Sequence, residues 1–484
     1  MGDGDTAANA FAQSLDLNEN DCRGDGLGFR VRAMRLALES IAMKTTTFHG
    51  SRLSRRHFLQ TTLLAGSVPW LGPARVLGAE GQTAPSSKIT LGVLGVGSQG
   101  MYDMRNFLGH PDVRVTALCD VNTRNIEIAK RYIAEAYGKP DVKVYADFRE
   151  MNADPSIDAI LMVLPVHWHS IPAMDAILHG KHIYHEKPMG MSFGEARQVR
   201  AAARKKGVVF QFGTQQRSDR KFRWACELAL NGRLGKMKEI LVSAPGGRSG
   251  PAYPEQPVPD YVSWDRWVGP APMTPFHEEK LKRDNHENMT NFSLGMISCW
   301  GIHHLDIAQW GNGTDGTGPR LIEGSGVFPK SGGFDAIEKW KVRFEFANAT
   351  PVTFVSDGTP GFEHGIRFIG DKTWVHVKRG MIESAEDRFL TDPENKYDAM
   401  PISLPISDEH TRNFVEAIKS RRKALCDIET AVRSDTLCQL ALIAVKLARR
   451  LEWDPQAERF VNDEAANAML QPRKFRGEWK LPEV

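Results

Sequence analysis

A short β-prone apolar run, Lys88–Leu94 (KITLGVL), passes directly into Gly95-Val96-Gly97-Ser98-Gln99-Gly100, and this junction limits the fold more than any other feature of the chain. Glycines at the first, third and sixth places let the backbone turn tightly and admit phosphates against the main chain. They also aim the first N–H groups of a following helix at negative charge. Such a hexapeptide means little alone, so its surroundings carry the weight. A helical pattern, Met101–Leu108, comes next, then a second strand pattern, Val113–Cys119, that ends on Asp120. Asp120 lies 25 residues beyond Gly95, where a carboxylate accepts hydrogen bonds from an adenosine ribose and repels a 2′-phosphate. The unit therefore predicts a Rossmann domain that grips a nicotinamide dinucleotide through Gly95, Gly97, Ser98, Gln99, Gly100 and Asp120. NAD is favoured over NADP, although Arg124 keeps NADP open.

The alternation continues in buried-strand and helix patterns. Ile157–Leu164 and His182–His185 read as strands, Pro172–His179 and 192–206 as helices, and Val208–Phe212 as a further strand. Three polar clusters fall at carboxyl ends of strands, where doubly wound sheets collect ligands: 165–169, Glu186-Lys187-Pro188, and 213–217. From about Lys236 the pattern becomes β-rich. Lys236–Val242, Arg320–Val327, Lys339–Phe346, Val352–Ser356, Ile366–Ile369 and Trp374–Val377 predict an open, mostly antiparallel sheet. Helical patterns return at His410–Arg422 and Ile428–Leu451. The expected class is α/β plus α+β: a doubly wound parallel sheet over 88–217, then an open antiparallel sheet with helices over 218–484.

The remaining stretch reads as an address. Ser54-Arg55-Arg56-His57-Phe58-Leu59-Gln60 resembles a twin-arginine export signal. The apolar stretch after it, Phe58–Leu71, is too short and too broken by Gly66 and Pro69 to span a bilayer as a helix. Residues 1–80 are thus expected to be a leader, with cleavage near Ala79, and 81–87 a linker. Met43-Lys44 offers a second start with a conventional charged n-region, so Met1 and Met43 both stay open. Such a signal implies the twin-arginine machinery as partner and an exported protein folded with its cofactor. A net charge of +3 over 484 residues gives no reason to invoke nucleic acid. Six cysteines form no C-x-x-C pair and no zinc-like cluster, and cleavage would leave five, so neither a metal site nor a disulfide framework is expected.

The order of glycine turn, strand–Asp, Glu186-Lys187-Pro188 and then Gly301-Ile302-His303-His304-Leu305-Asp306 resembles the glucose–fructose oxidoreductase / inositol dehydrogenase (Gfo/Idh/MocA) family over roughly 88–484. The resemblance implies that Lys187 and His303 meet the reacting hydroxyl, with Glu186 and His169 beside the cofactor. It implies a sugar, polyol or keto-sugar as substrate, and a homo-oligomer built through the C-terminal sheet. One departure stands out: the family aspartate of D-x-G-x-H is here Cys299. A neutral thiol is a poor acceptor, so the proton path is expected to differ. Gln215, Arg217, Cys299, His304 and Asp306 are further substrate candidates, and Trp168 either flanks the nicotinamide or packs. Three activities remain open on sequence: a dehydrogenase, a glycosidase or lyase that oxidises transiently, and a non-catalytic nucleotide binder.

Overall fold

The computed structural model describes residues 87–484 apart from 140, 349, 357–361, 363 and 398. The leader, the linker up to residue 86 and the twin-arginine segment lie outside the described residues.

The first sheet has six parallel strands in the order β3-β2-β1-β4-β5-β6. They are β1 Ile89–Leu94, β2 Val113–Cys119, β3 Lys143–Tyr145, β4 Ala159–Met162, β5 His182–His185 and β6 Phe210–Phe212. β4 and β5 are buried along their whole length, as expected of parallel strands covered on both faces. The strand order reverses between β1 and β4, so the crevice for a ligand opens at the carboxyl ends of those two strands. The first helix, Ser98–Leu108, starts inside the glycine turn, three residues earlier than its apolar periodicity suggests. The turn demands glycine: at Gly95 (φ +86°) a Cβ would lie 1.9 Å from the Val163 carbonyl oxygen, and at Gly100 one would lie 2.1 Å from that of Gly95.

The second sheet has nine strands in the order β13-β12-β11-β7-β10-β9-β8-β14-β15. β7 (Met237–Ala244) pairs parallel with β10 (Pro351–Ser356), and the other pairings are antiparallel. β8 (Leu321–Val327) and β9 (Lys339–Glu345) flank it on one side, and β11 (Gly365–Gly370) and β12 (Trp374–Lys378) on the other. β9 alternates exposed and buried residues, so one face meets solvent while the other packs on helices. The helix starting at Ile428 stops at Leu447, not at Leu451: Ala448 turns left-handed (φ 49°), and Leu451 opens the edge strand β14 (Leu451–Asp454) against Ile322. Leu451 is apolar because it pairs in this sheet, which is why helical periodicity runs past the true end. β13 (Met381–Ser384) and β15 (Arg459–Phe460) complete the sheet and carry no apolar alternation to reveal them.

Both sheets belong to one compact unit. A single apolar cluster runs from Met162 and Phe212 in the first sheet through Ile302 and Leu305 to Val342 and Phe354 in the second. The helix Gly301–Gly311, with every residue buried, lies between them.

Candidate active site

A cavity of about 410 Å³ opens at the switch point, the size of a ligand cleft. The glycine turn, Asp120 and Lys187 line it. The Asp120 carboxylate accepts the backbone N–H of Val96 and that of Asn122, each at 2.8 Å. It thereby braces the glycine turn while still facing the cavity; burial raises its pKa, and these hydrogen bonds oppose the rise. Arg124 is drawn away onto the ring of Tyr261, 3.5 Å from its centroid.

Lys187 follows β5 and reaches the cavity beside Glu186. Its Nζ donates to the backbone carbonyl of Cys299 at 3.1 Å. The Cys299 side chain turns away: its Sγ sits 3.2 Å from Ser293 Oγ, in a small apolar cluster with Val166 and Met191. Burial pushes that thiol up to about 12. Residue 299 thus anchors the lysine through its main chain, and the thiol is no ligand for substrate, contrary to the sequence expectation. Burial above all, and then the charges of Lys187 and Arg379, hold His303 well below the ordinary histidine pKa. Its imidazole is therefore neutral at pH 7, and its buried Nδ1 has no hydrogen-bond partner. Burial raises Glu186 likewise, and Gly213 presses on it so closely that a Cβ there would lie 2.2 Å from Glu186 Oε1.

Other expected substrate ligands are committed elsewhere. Arg217 is 2% exposed and donates through Nε and Nη2 to the Asp306 carboxylate, each at 2.8 Å. A second carboxylate, Asp315, takes its Nη1 at 2.6 Å, and Ser434 donates to Asp306 at 2.6 Å. Two opposite charges this deep stay only when paired, so Arg217 and Asp306 tie the first sheet to the 301–311 helix. Gln215 points its amide at Asp103 and Tyr184, 3.4 Å from each. His304 Nδ1 meets the Ser243 carbonyl at 2.8 Å, and its ring packs edge-on to His364. His169 does not line the cavity. Its ring lies between the carbonyls of Pro188 and Leu164, and burial holds it near pKa 4, so its single N–H serves one of them. It positions the Lys187–Pro188 segment. Trp168 both lines the cavity and packs, with its Nε1 donating to the Trp267 carbonyl at 2.9 Å.

Several site residues carry no local signal in the sequence. Asp103, fully buried on the first helix, is pushed toward its protonated form by burial and by neighbouring Glu186. The C-terminal tail returns to the cleft: Arg473 Nη2 donates to the His167 carbonyl at 3.0 Å, and Arg476 Nε to that of Gly269 at 2.9 Å. These bonds lay Glu478 and Trp479 along the cavity wall, with Trp479 edge-on to Trp168 at 4.8 Å. The loop before β8 closes the same side, with Arg266 Nη1 on the Ala146 carbonyl at 2.6 Å. Only the dipeptide pattern of glycines and apolar runs is readable without the fold; a tail that folds back is not.

The doubly wound sheet, its glycine-turned cleft and the covering second sheet define a dinucleotide-binding α/β protein. Two family models match this arrangement: the oxidoreductase family NAD-binding Rossmann fold over residues 89–214, and the oxidoreductase family C-terminal alpha/beta domain over 247–481. Together they span well over half of the sequence, and the chain belongs to the Gfo/Idh/MocA oxidoreductase family. NAD is the cofactor of its first domain. Among relatives, a glycosyl hydrolase family 109 protein of Saccharopolyspora erythraea is 29% identical over 162 residues, 29% of this chain and 35% of the relative. Myo-inositol 2-dehydrogenase of Thermotoga maritima is 27% identical over 154 residues, 32% of this chain and 44% of the relative. The matches thus span less than half the length of the curated relatives. The crystal structure of GenD2 from gentamicin A biosynthesis in complex with NAD shares the fold, with TM-score 0.56 and 19% identity over 76% of this chain and 97% of that one.

Proposed function

We propose that the chain is an exported, NAD-dependent oxidoreductase that moves a hydride between a CH–OH carbon of a sugar, polyol or keto-sugar and the nicotinamide. The observation that carries this reading is a lysine on the cavity wall, fixed by a backbone carbonyl, whose charge acts on a buried neutral histidine with an unpartnered ring nitrogen. Bound NAD supplies hydride chemistry; the chain supplies everything else. Gly95, Gly97 and the opening N–H groups of the first helix would hold the pyrophosphate, and Asp120 the ribose hydroxyls. Lys187 polarises the reacting oxygen and stabilises the alkoxide as it forms. His303, neutral at working pH, accepts the hydroxyl proton, a role the thiol of residue 299 cannot share. The dehydrogenase name of the Thermotoga relative supports a polyol or sugar substrate.

A transient-oxidation glycosidase is the second reading, favoured by the family 109 relative. Purified protein mixed with a panel of sugars and glycosides separates the two. Net NADH formation supports the dehydrogenase, cleavage without net NADH supports the hydrolase, and neither outcome would leave a nucleotide binder. Export rests on Arg55-Arg56 and the segment after them. Lysine at both positions should trap the precursor in the cell, and unchanged processing would remove that part of the reading. Self-association through the open face of the second sheet is checked by sedimentation; a monomer at working concentration removes it.

A further inference from the structure

We propose that Arg379, presented by a hairpin tip onto the ring of Trp300, anchors an anionic group of the substrate, so that the enzyme acts on sugars bearing a carboxylate or phosphate in preference to their neutral parents. The proposal takes from the oxidoreductase reading only where the reacting carbon sits, and its central measurement is binding.

Arg379 lies in the turn between β12 and β13, just before Gly380 (φ 77°). Lys221 Nζ donates to the Gly380 carbonyl at 2.5 Å and pins that tip to the helix Arg220–Leu230. The exposed guanidinium lies 4.7 Å over the Trp300 ring, and among the described residues it has neither a hydrogen bond nor an ion pair. Other arginines near the site are spoken for: Arg217 holds two carboxylates, and Arg473 two carbonyls. Trp300 is in turn edge-on to His303, with ring centroids 5.6 Å apart. One aromatic ring therefore separates an unpaired planar cation from the residue read as the base. A guanidinium backed by an aromatic face is held in one plane, ready for the two parallel hydrogen bonds of a carboxylate or phosphate.

The charges around it point the same way. Lys187, Arg283 and Arg379 all act on Glu186, and Lys187 and Arg379 on His303, so these cations share one field. Arg283 meets Asp284 at 3.9 Å and shares the cavity wall with Glu287, whereas the carboxylates that act on Arg379 itself, Glu186 and Asp219, are committed. Glu186 and Asp103 are buried and shifted toward protonation. Asp219 caps a helix through the Lys221 N–H at 2.7 Å. A neutral sugar would leave the Arg379 charge unanswered; an acidic one answers it. The cofactor's phosphates do not serve instead. They belong at the glycine turn, where Arg283 reaches Gln99 at 3.3 Å, whereas Arg379 stands over the ring of Trp300, the residue before the 301–311 helix.

Calorimetric titration of the NADH-loaded protein tests this with matched trios: D-glucuronate, glucose phosphate and D-glucose, and the galactose counterparts. The expected result is that at least one acid binds tenfold or more tightly than its neutral parent, with the two acid arms showing which group is preferred. Arg379→Ala should bring that affinity ratio to within about twofold, a loss of roughly 10- to 100-fold for a charge-assisted pair. Arg379→Lys should fall between, and Arg379→Glu should invert the ratio. Melting curves confirm folding of these exposed-tip variants. A ratio near one in the wild type, or a ratio that survives Arg379→Ala, overturns the proposal. Acid binding through Arg379 without turnover of any sugar would instead sink the oxidoreductase reading and leave this one standing.

Discussion

The glycine turn and the neighbourhood of Lys187 are built on opposite plans. At the dinucleotide end the chain satisfies itself: Asp120 takes two backbone N–H groups, and Gln99 donates to Asp103 at 3.1 Å. Behind Lys187, Glu186 Oε1, His303 Nδ1 and His304 Nε2 are buried with no hydrogen-bond partner among the described residues. An unmet buried polar group costs about 1–3 kcal/mol, a cost the packing around it has to offset. The difference teaches that the cofactor cleft is organised by the chain alone, while the residues behind Lys187 keep hydrogen-bonding capacity unused.

Breaking the reacting end should have the largest effect on rate. Lys187→Met and His303→Ala should each lower turnover by roughly 10²–10⁴-fold, the usual worth of general acid–base help. NADH affinity, followed by fluorescence, should stay nearly constant because the glycine turn is untouched; wild-type turnover in both variants would end the assignment. Next comes the tie between the halves. Arg217→Ala strands Asp306, which is fully buried, and should cost about 3–5 kcal/mol in denaturant unfolding. A loss under 1 kcal/mol would show that the pair is not what joins the 301–311 helix to the first sheet.

The dinucleotide end is tested by Asp120→Ala, which leaves the Val96 and Asn122 N–H groups without their acceptor. NAD affinity should fall by about tenfold, from the 1–3 kcal/mol of such a loss, with turnover at saturating cofactor little changed. If turnover fell and affinity held, the two ends would not be separable. A milder contrast lies in pH. His303 must be unprotonated to act, and its pKa is below the ordinary 6.5, so the acid limb of kcat/KM should lie below pH 6.5. Because the Arg379 charge is one cause of that depression, Arg379→Ala should move the limb upward. A limb above pH 6.5 in the wild type would contradict a buried neutral base. The smallest effect belongs to Cys299→Ser: with a thiol pushed up to about 12 and turned from the cavity, the pH profile should not change between neutrality and pH 9.

Much of the first domain was legible because its determinants are local. β2 and β5 fall on the residues that apolar runs mark, and the glycines of 95–100 are dictated by contacts within one turn. Lys187 and His303 were findable as motif residues, yet what each touches was not. Arg217 and Asp306 looked like sugar ligands because both are polar and near strand or helix ends. The fold brings them together from 89 residues apart and buries them as a pair. Trp479 and Arg379 sit in segments with no pattern of their own, and nothing in the helical pattern around Asp103 marks that residue as buried.

By itself the sequence determined the Rossmann unit, the open second sheet and the glycine turn of the cleft, since strand periodicity and tight turns act over a few residues. Only the tertiary structure decided that Cys299 serves through its carbonyl and that the tail walls the cleft. It also decided that Arg379 lies over the ring of Trp300. Those outcomes depend on burial and on charges set by distant segments, and desolvation is a property of the packed chain rather than of any stretch of it.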